Sequence, residues 1–352
     1  MVATNILSLY HLSTTMTTTK PPTNPTSPIP DHLIHQLQTI RATITHLTRH
    51  PSTTTTTTST IPPELLLYTQ LSSIASSCSH HPNLLHQYMN YTPFATCPPP
   101  SSAAAEPLIL RGCHPLPRRR CFSLTPNKQP SSLPTNPFSP VPEYSILWNN
   151  YNCKSFNCFN SDMGFDLYKE RSKLLTYKTE LDLPISQLID IANKSNTVIR
   201  LALDIGGGTG TFAAQMKEHN VTVVTTTMSM GAPYNEVAAL RGLVALHVPL
   251  QQRLPVFDGV LDLVRCGHAV NRWIPVQALE FMVYDVDRVL RGGGLFWVDR
   301  FFSKGVDLDK VFGPLIGKLG YKKVKWAVGK KTDSSGVKHG EMALKRNGKP
   351  VS

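Results

Sequence analysis

The sequence predicts an α/β fold: a seven-stranded, mostly parallel sheet with helices on both faces and a C-terminal antiparallel hairpin. A partly disordered, partly helical N-terminal region precedes it. Three observations predict it. The chain is 41% hydrophobic overall, but its apolar residues concentrate after about residue 180. Beyond that point β-branched runs alternate with segments of helical period, the pattern of a sheet covered on both sides. A glycine-rich turn then stands between a buried strand and a helix.

In chain order, residues 1–30 are dominated by Thr, Pro and Asn and are expected to be disordered. Residues 31–90 form helical segments joined by a Thr/Pro-rich linker. Leu33, Ile34, Leu37, Ile40, Ile44 and Leu47 recur at helical spacing behind Asp31 as an N-cap, and a second helix runs from about Pro63 to Ser77. Residues 91–180 are rich in Pro, Cys and aromatics without clear periodicity, and they carry the cluster Arg118-Arg119-Arg120. A substrate-side cap and a linker fit this stretch equally well.

Residues 181–346 form the regular domain and 347–352 a tail. Ile185 to Ala192 reads as a helix, Val198 to Ile205 as a strand, Thr209 to Glu218 as a helix and Val221 to Thr227 as a strand. Tyr234 to Arg241 is helical, Leu243 to Val248 and Val260 to Val264 are strands, and Val276 to Leu290 is a long helix. Gly294 to Val298 is a strand, Leu308 to Leu319 a helix, and Lys322 to Val328 with Gly340 to Lys345 a closing strand pair.

The net charge of +12 suits an acidic partner, whether nucleic acid, a polyuronate or an anionic membrane surface. Eleven Lys and Arg follow Asp309 against only Asp333 and Glu341, so part of that charge is a solvated face of the terminal region. Aromatic and basic residues are not interleaved as a stacking surface for single strands requires, and nucleic acid ranks last among the partners. Seven cysteines include no CxxC pair, so no metal site is expected. Cys153 and Cys158 could form a disulfide in a secretory lumen. No segment reaches the roughly 20 apolar residues of a membrane-spanning helix.

The strongest local signal is the run from Leu203 through Asp204 and Gly206, Gly207, Gly208 and Gly210 to Phe212. Gly206, Gly208 and Gly210 spell GxGxG at a strand-to-helix turn, where glycine permits positive φ and lets a ligand approach the backbone. A dinucleotide fingerprint would need a third glycine where Thr211 stands. Asp204, just before the turn, suits the amino acid end of a cationic ligand better than a pyrophosphate. A glycine turn without any ligand is the bland alternative.

Asp204 to Gly210 resembles the first motif of class I S-adenosylmethionine-dependent methyltransferases, which have a Rossmann-like fold. Leu254 to Val264 resembles that superfamily's LPFxDxxFDLV segment, and Asp285 to Gly294 its ExxRVLRPGG segment. A closer resemblance is to plant Golgi-type, pectin-methyltransferase-like proteins, through Arg253-Leu254-Pro255, Leu261-Asp262, Cys266 and Trp273. The resemblance implies S-adenosyl-L-methionine as cofactor, bound by Asp204, Gly206, Gly207, Gly208, Gly210, Thr226, Thr227, Leu254 and Cys266. It also implies a Golgi or endomembrane location, with the cytoplasm as the alternative, and an N-terminal anchor of which Thr4 to Tyr10 resembles the last turns. The superfamily's ribose-binding acid is replaced by Thr225 to Thr227, and Leu250 and Gln251 stand near the place of its adenine-binding acid.

The expected reaction is methyl transfer to an acidic polysaccharide or a small acceptor; a non-catalytic cofactor-binding scaffold is the alternative. Arg265-Cys266-Gly267-His268 is expected to follow the fourth strand and face the crevice. There His268 would act as general base and Arg265 or Arg272 would orient a carboxylate. Trp273, Asp299 and Arg300 are further residues near that cleft.

Overall fold

The computed structural model describes residues 76–98, 101–124, 136–161, 167–227, 231–267, 270, 274–330 and 337–345. All lie in the compact unit Ser72–Ser352. The disordered stretch and first helix expected before residue 50 fall outside the described residues. So does the second helix, except at its end, where Ser76–His80 forms a 3-10 turn.

Helices α1 (Pro82–Met89), α2 (Ser101–Leu110) and α3 (Leu167–Leu175) precede the regular domain. It then runs α4 (Ile185–Lys194), β1 (Leu201–Ile205), α5 (Thr211–Lys217), β2 (Thr222–Thr227), α6 (Tyr234–Leu240), β3 (Val244–His247) and β4 (Leu261–Cys266). It closes with α7 (Val276–Val289), β5 (Leu290–Lys304), α8 (Gly313–Gly317), β6 (Lys322–Lys330) and β7 (Val337–Lys345). The seven strands lie in the order β3-β2-β1-β4-β5-β7-β6. Strands β1 to β5 pair in parallel, and β7 pairs antiparallel with both β5 and β6. Strand order therefore reverses beside β1, and ligands of open α/β sheets bind in the crevice at such a point.

Successive residues of a strand face opposite sides of the sheet, and both sides here are covered. Ala202 joins Leu188, Phe212, Met216 and Trp297 in one core, while Leu203 and Ile205 join Val286 and Phe296 in the other. Helix α7 supplies the second core with Leu279, Met282, Val283 and Val286, which fall on one face at a spacing of three to four residues.

Four expectations need correction. Strand β4 continues through Arg265 and Cys266, because Asp204 pairs with Arg265 and Arg265 with Trp297 in the ladder. Strand β5 likewise absorbs Asp299 and Arg300, with a register shift between Val298 and Phe301 where Arg300 takes a φ of 55°. The helix expected over Leu308 to Leu319 is present but runs from Gly305 to Gly317, and it widens to π geometry over Leu308–Phe312 before α8. Pro314 lacks the N–H that would carry a regular α-helical ladder through this point. Residues 91–180 contain α2 and α3, and α2 escaped the periodicity reading because its Ser/Ala start and Pro107 show no apolar stripe.

Two disulfides, Cys78–Cys113 and Cys97–Cys121, staple residues 78–121, a third, Cys153–Cys158, closes a short loop, and Cys266 is a buried free thiol. Among the described residues no helix is long and apolar enough to cross a membrane.

Candidate functional site

The turn from Gly206 to Gly210 joins β1 to α5, with positive φ at Gly206 (70°), Gly208 (57°) and Gly210 (78°). Its path is fixed by backbone bonds: Gly207 N donates to Thr226 O at 3.0 Å and Gly210 N to Gly207 O at 3.0 Å. Gly207 is needed for space. A Cβ there would lie 2.2 Å from Asp204 Oδ2 and 2.7 Å from Thr225 Cγ2.

Beneath the turn, Asp204 is fully buried and accepts a hydrogen bond from Arg265 Nη1 at 2.9 Å. Arg265 Nη2 donates to Asp299 Oδ2. The guanidinium lies 4.9 Å from the Phe212 ring centroid and 5.1 Å from that of Trp297. Charges of alternating sign continue outward, since Arg300 Nε lies 3.8 Å from Asp299 Oδ1 and Arg300 Nη2 donates to Asp182. Burial alone would raise the Asp182 pKa. Hydrogen bonds from the Thr179 amide and hydroxyl and the Lys178 amide, together with Arg300, outweigh burial and lower it. Arg265 was expected to face the crevice. Because β4 extends through it, its side chain falls instead on the α5 side of the sheet and is buried between the two aspartates.

Thr226 Oγ1 lies 3.5 Å from the Asp204 carbonyl oxygen and Thr227 is buried, both at the carboxyl end of β2. Cys266 packs into the core on the α7 side, where burial first and the Asp204 charge second push its thiol pKa up. Its sulfur is thus a packing group and is not presented to the crevice. His268, Arg272 and Trp273 lie outside the described residues.

A cleft of about 380 Å³ opens beside these strand ends, lined by Ile205, Thr226, Val248, Leu254, Phe281 and Tyr284 among others, with Leu250 and Gln251 on its wall. Its rim is held by α7. Asp285 Oδ2 accepts from Leu254 N at 2.6 Å, and Arg288 donates to Leu254 O at 2.9 Å, to Val256 O at 2.7 Å and to Asp285 at 2.7 Å. The loop that leads into β4 is therefore strapped to the last turns of α7, which joins the segments Leu254 to Val264 and Asp285 to Gly294.

Sequence reasoning missed Arg241, which stood as a lone arginine at a helix end. It is buried, and it donates to Thr209 O in the glycine turn at 2.8 Å, to Thr211 Oγ1 at 3.2 Å and to Pro137 O at 2.7 Å. Burial first and Arg171 second lower its pKa to about 10. Phe138 stacks between the two guanidinium groups, 4.1 Å from Arg171 and 5.3 Å from Arg241. Also missed was the cluster of Trp148, Phe156, Phe159 and Tyr234 beyond β2, anchored by Cys153 N donating to Gly231 O at 2.9 Å.

The pocket is concave, and its exposed lining is mostly apolar although Thr226, Gln251, Gln252 and Arg253 also border it, a mixture that small-molecule sites share. Residues 176–303 match the model of the family described as "Putative S-adenosyl-L-methionine-dependent methyltransferase". "Probable methyltransferase At1g29790" of Arabidopsis thaliana is 60% identical over 365 residues, covering 98% of this chain and 93% of the relative. "Probable methyltransferase PMT16" of the same plant is 34% identical over 121 residues, 32% of this chain and 17% of that protein. Among solved structures, the PH0226 protein from Pyrococcus horikoshii is similar at 14% identity and a TM-score of 0.40, over 55% of this chain and 100% of that one.

Proposed function

The chain belongs to the plant family of S-adenosyl-L-methionine-dependent methyltransferases, and from that membership we propose that it methylates a polysaccharide carboxylate or a small acceptor at the carboxyl ends of β4 and β5. The observation that carries this reading is a glycine turn with no room for a side chain at Gly207 or Gly210, beside a cleft of about 380 Å³. Pockets for ligands of this size span roughly 300–1,000 Å³.

The residues fit the cofactor as follows. Gly206, Gly207, Gly208 and Gly210 would meet its amino acid end, with Asp204 shaping the turn from below. Thr226 and Thr227 would meet the ribose, and the Leu254 wall of the cleft would cover the adenine. When bound, the cofactor supplies a sulfonium methyl group open to in-line displacement. The protein's part is then to align the acceptor and keep water out. The hydroxyls at β2 would hold the ribose through neutral hydrogen bonds, which are weaker than those of a carboxylate. An ionised carboxylate acceptor needs no general base. A hydroxyl acceptor does, and His268 would serve as the base in that case.

Three disulfides support an oxidising compartment for the folded chain, in keeping with an endomembrane location. Calorimetric titration of the full chain with S-adenosyl-L-methionine tests cofactor binding, and radiolabelled transfer to polygalacturonate tests the acceptor. Saturable heat that S-adenosylhomocysteine competes away, with label entering polygalacturonate but not its methyl ester, is expected. No heat up to millimolar cofactor would remove the reading.

A further inference from the structure

Residues 76–124 form a cationic module beside the cleft. They contain Arg111, Arg118, Arg119 and Arg120 against the single acid Glu106. That acid is already engaged, since Glu106 Oε1 lies 2.7 Å from His247 Nε2. Two disulfides, Cys78–Cys113 and Cys97–Cys121, fix the module internally.

One edge of it is laced tightly. Phe94 N donates to Arg120 O at 2.8 Å, Phe122 N to Ala95 O at 2.9 Å and Cys97 N to Phe122 O at 2.8 Å. Phe94 adopts a φ of 62°, a region that large side chains seldom occupy, so the lacing imposes its position. The result is two exposed aromatic rings, Phe94 at 73% and Phe122 at 65% of full exposure. Arg119 turns inward, 4.4 Å from the Tyr88 ring centroid and bonded to Tyr88 O. Arg118 and Arg120, at alternate positions with Phe122, are exposed, and the Arg120 guanidinium is 5.9 Å from the Phe94 ring centroid.

The geometry points to this edge as a binding site for an anionic polysaccharide, the acceptor chain itself. The inference rests on the methyltransferase reading and deepens it. Flat aromatic faces pack against the apolar faces of sugar rings, and planar guanidinium forks match carboxylates. Disulfides require an oxidising compartment, where neither nucleic acid nor the anionic cytoplasmic leaflet is met. A polyuronate offers both partners at once, sugar rings with apolar faces and a carboxylate on each, and is the occupant that fits this edge. The site is joined to the cleft through the same module: Gln251, on the cleft wall, donates to Leu110 O at 3.1 Å at the end of α2. A chain lying across Phe94 and Phe122 is therefore held by the element that touches the cofactor side.

The test is fluorescence anisotropy with the full chain and a labelled galacturonate oligomer, its methyl-esterified counterpart and a single-stranded RNA of equal charge. The acidic oligomer should bind at least tenfold more tightly than either control. The pair Arg118→Gln and Arg120→Gln, and separately the pair Phe94→Asn and Phe122→Ser, should each weaken it at least tenfold. Asn tolerates the left-handed backbone at position 94, and a single thiol per unreduced, denatured chain, as in the parent, would show that the variants still form Cys78–Cys113 and Cys97–Cys121 and that the module is folded. Variants that bind like the parent, or RNA that binds as tightly as the oligomer, would overturn the assignment. If polygalacturonate is methylated with the same KM by parent and variants, the site falls while the transferase reading stands. If the variants lose the oligomer although no carboxylate is methylated, the site stands and that acceptor reading falls.

Discussion

At Gly207 one methyl group decides whether the turn can exist as built. An alanine Cβ would sit 2.2 Å from Asp204 Oδ2, and Asp204 cannot swing away because Arg265 clamps it from the other side. Gly207→Ala should therefore weaken S-adenosyl-L-methionine binding at least tenfold in calorimetry while leaving the sheet folded. Undiminished affinity would show that the turn does not touch the cofactor. Arg265 carries a different load. Its removal leaves the buried Asp204 and Asp299 carboxylates facing an apolar gap between Phe212 and Trp297. Arg265→Met should cost about 3–5 kcal/mol in urea unfolding, the usual penalty for stripping one partner from a buried pair. A loss below about 1 kcal/mol would mean that Arg300 or water takes over the charge. The glycines were legible in the sequence because only glycine serves such a turn. The clamp was not, because pairing Asp204 with Arg265 needs the register of β1 on β4.

Elements with a strong period were legible too: α7 and the strands β1 to β4 stand within a few residues of their expected places, since each buries an apolar face against the sheet. What the sequence hid were elements whose order comes from distant partners. Helix α2 has no apolar stripe and is fixed by a disulfide at its far end and by Glu106 reaching His247 beside the cleft loop. That contact is pH-sensitive. The hydrogen bond to Glu106 raises the His247 pKa, more than burial lowers it, with the charges of Glu106 and Glu236 assisting. His114, also in this module, is shifted down by burial first and partly by His247, so the cation sits on His247. A raised folded pKa means stability that is full below the ordinary histidine value of 6.5 and lost as pH rises through the folded value. Glu106→Gln should therefore lower Tm clearly at about pH 5.5 and much less at about pH 8.5. An equal loss at both pH values would show that charge plays no part in docking α2.

Over the whole molecule the covalent and non-covalent stabilisation are divided along the chain. Six of the seven cysteines lie between residues 78 and 158 and are paired, ahead of every strand of the sheet. The seventh, Cys266, is enclosed in β4 with its thiol pKa raised by burial. The sheet has two apolar cores and needs no cross-link, whereas the module of residues 76–124 has only a small cluster around Tyr88 and Leu108. Small domains of this kind depend on staples. The loops closed by Cys78–Cys113 and Cys97–Cys121, with separations of 35 and 24 residues, contribute about 3–4 kcal/mol each in chain-entropy terms. Thiol titration should thus find none in the native protein, one per chain when denatured without reductant, and seven after reduction. Mild reduction should then abolish binding of the acidic oligomer, because Phe94, Arg120 and Phe122 are held in place by the Cys97–Cys121 staple, while S-adenosyl-L-methionine still binds the sheet. Three or more thiols in the unreduced, denatured protein would break this division. A cofactor affinity that falls in parallel with oligomer binding would break it as well, by showing that the glycine turn depends on the stapled half.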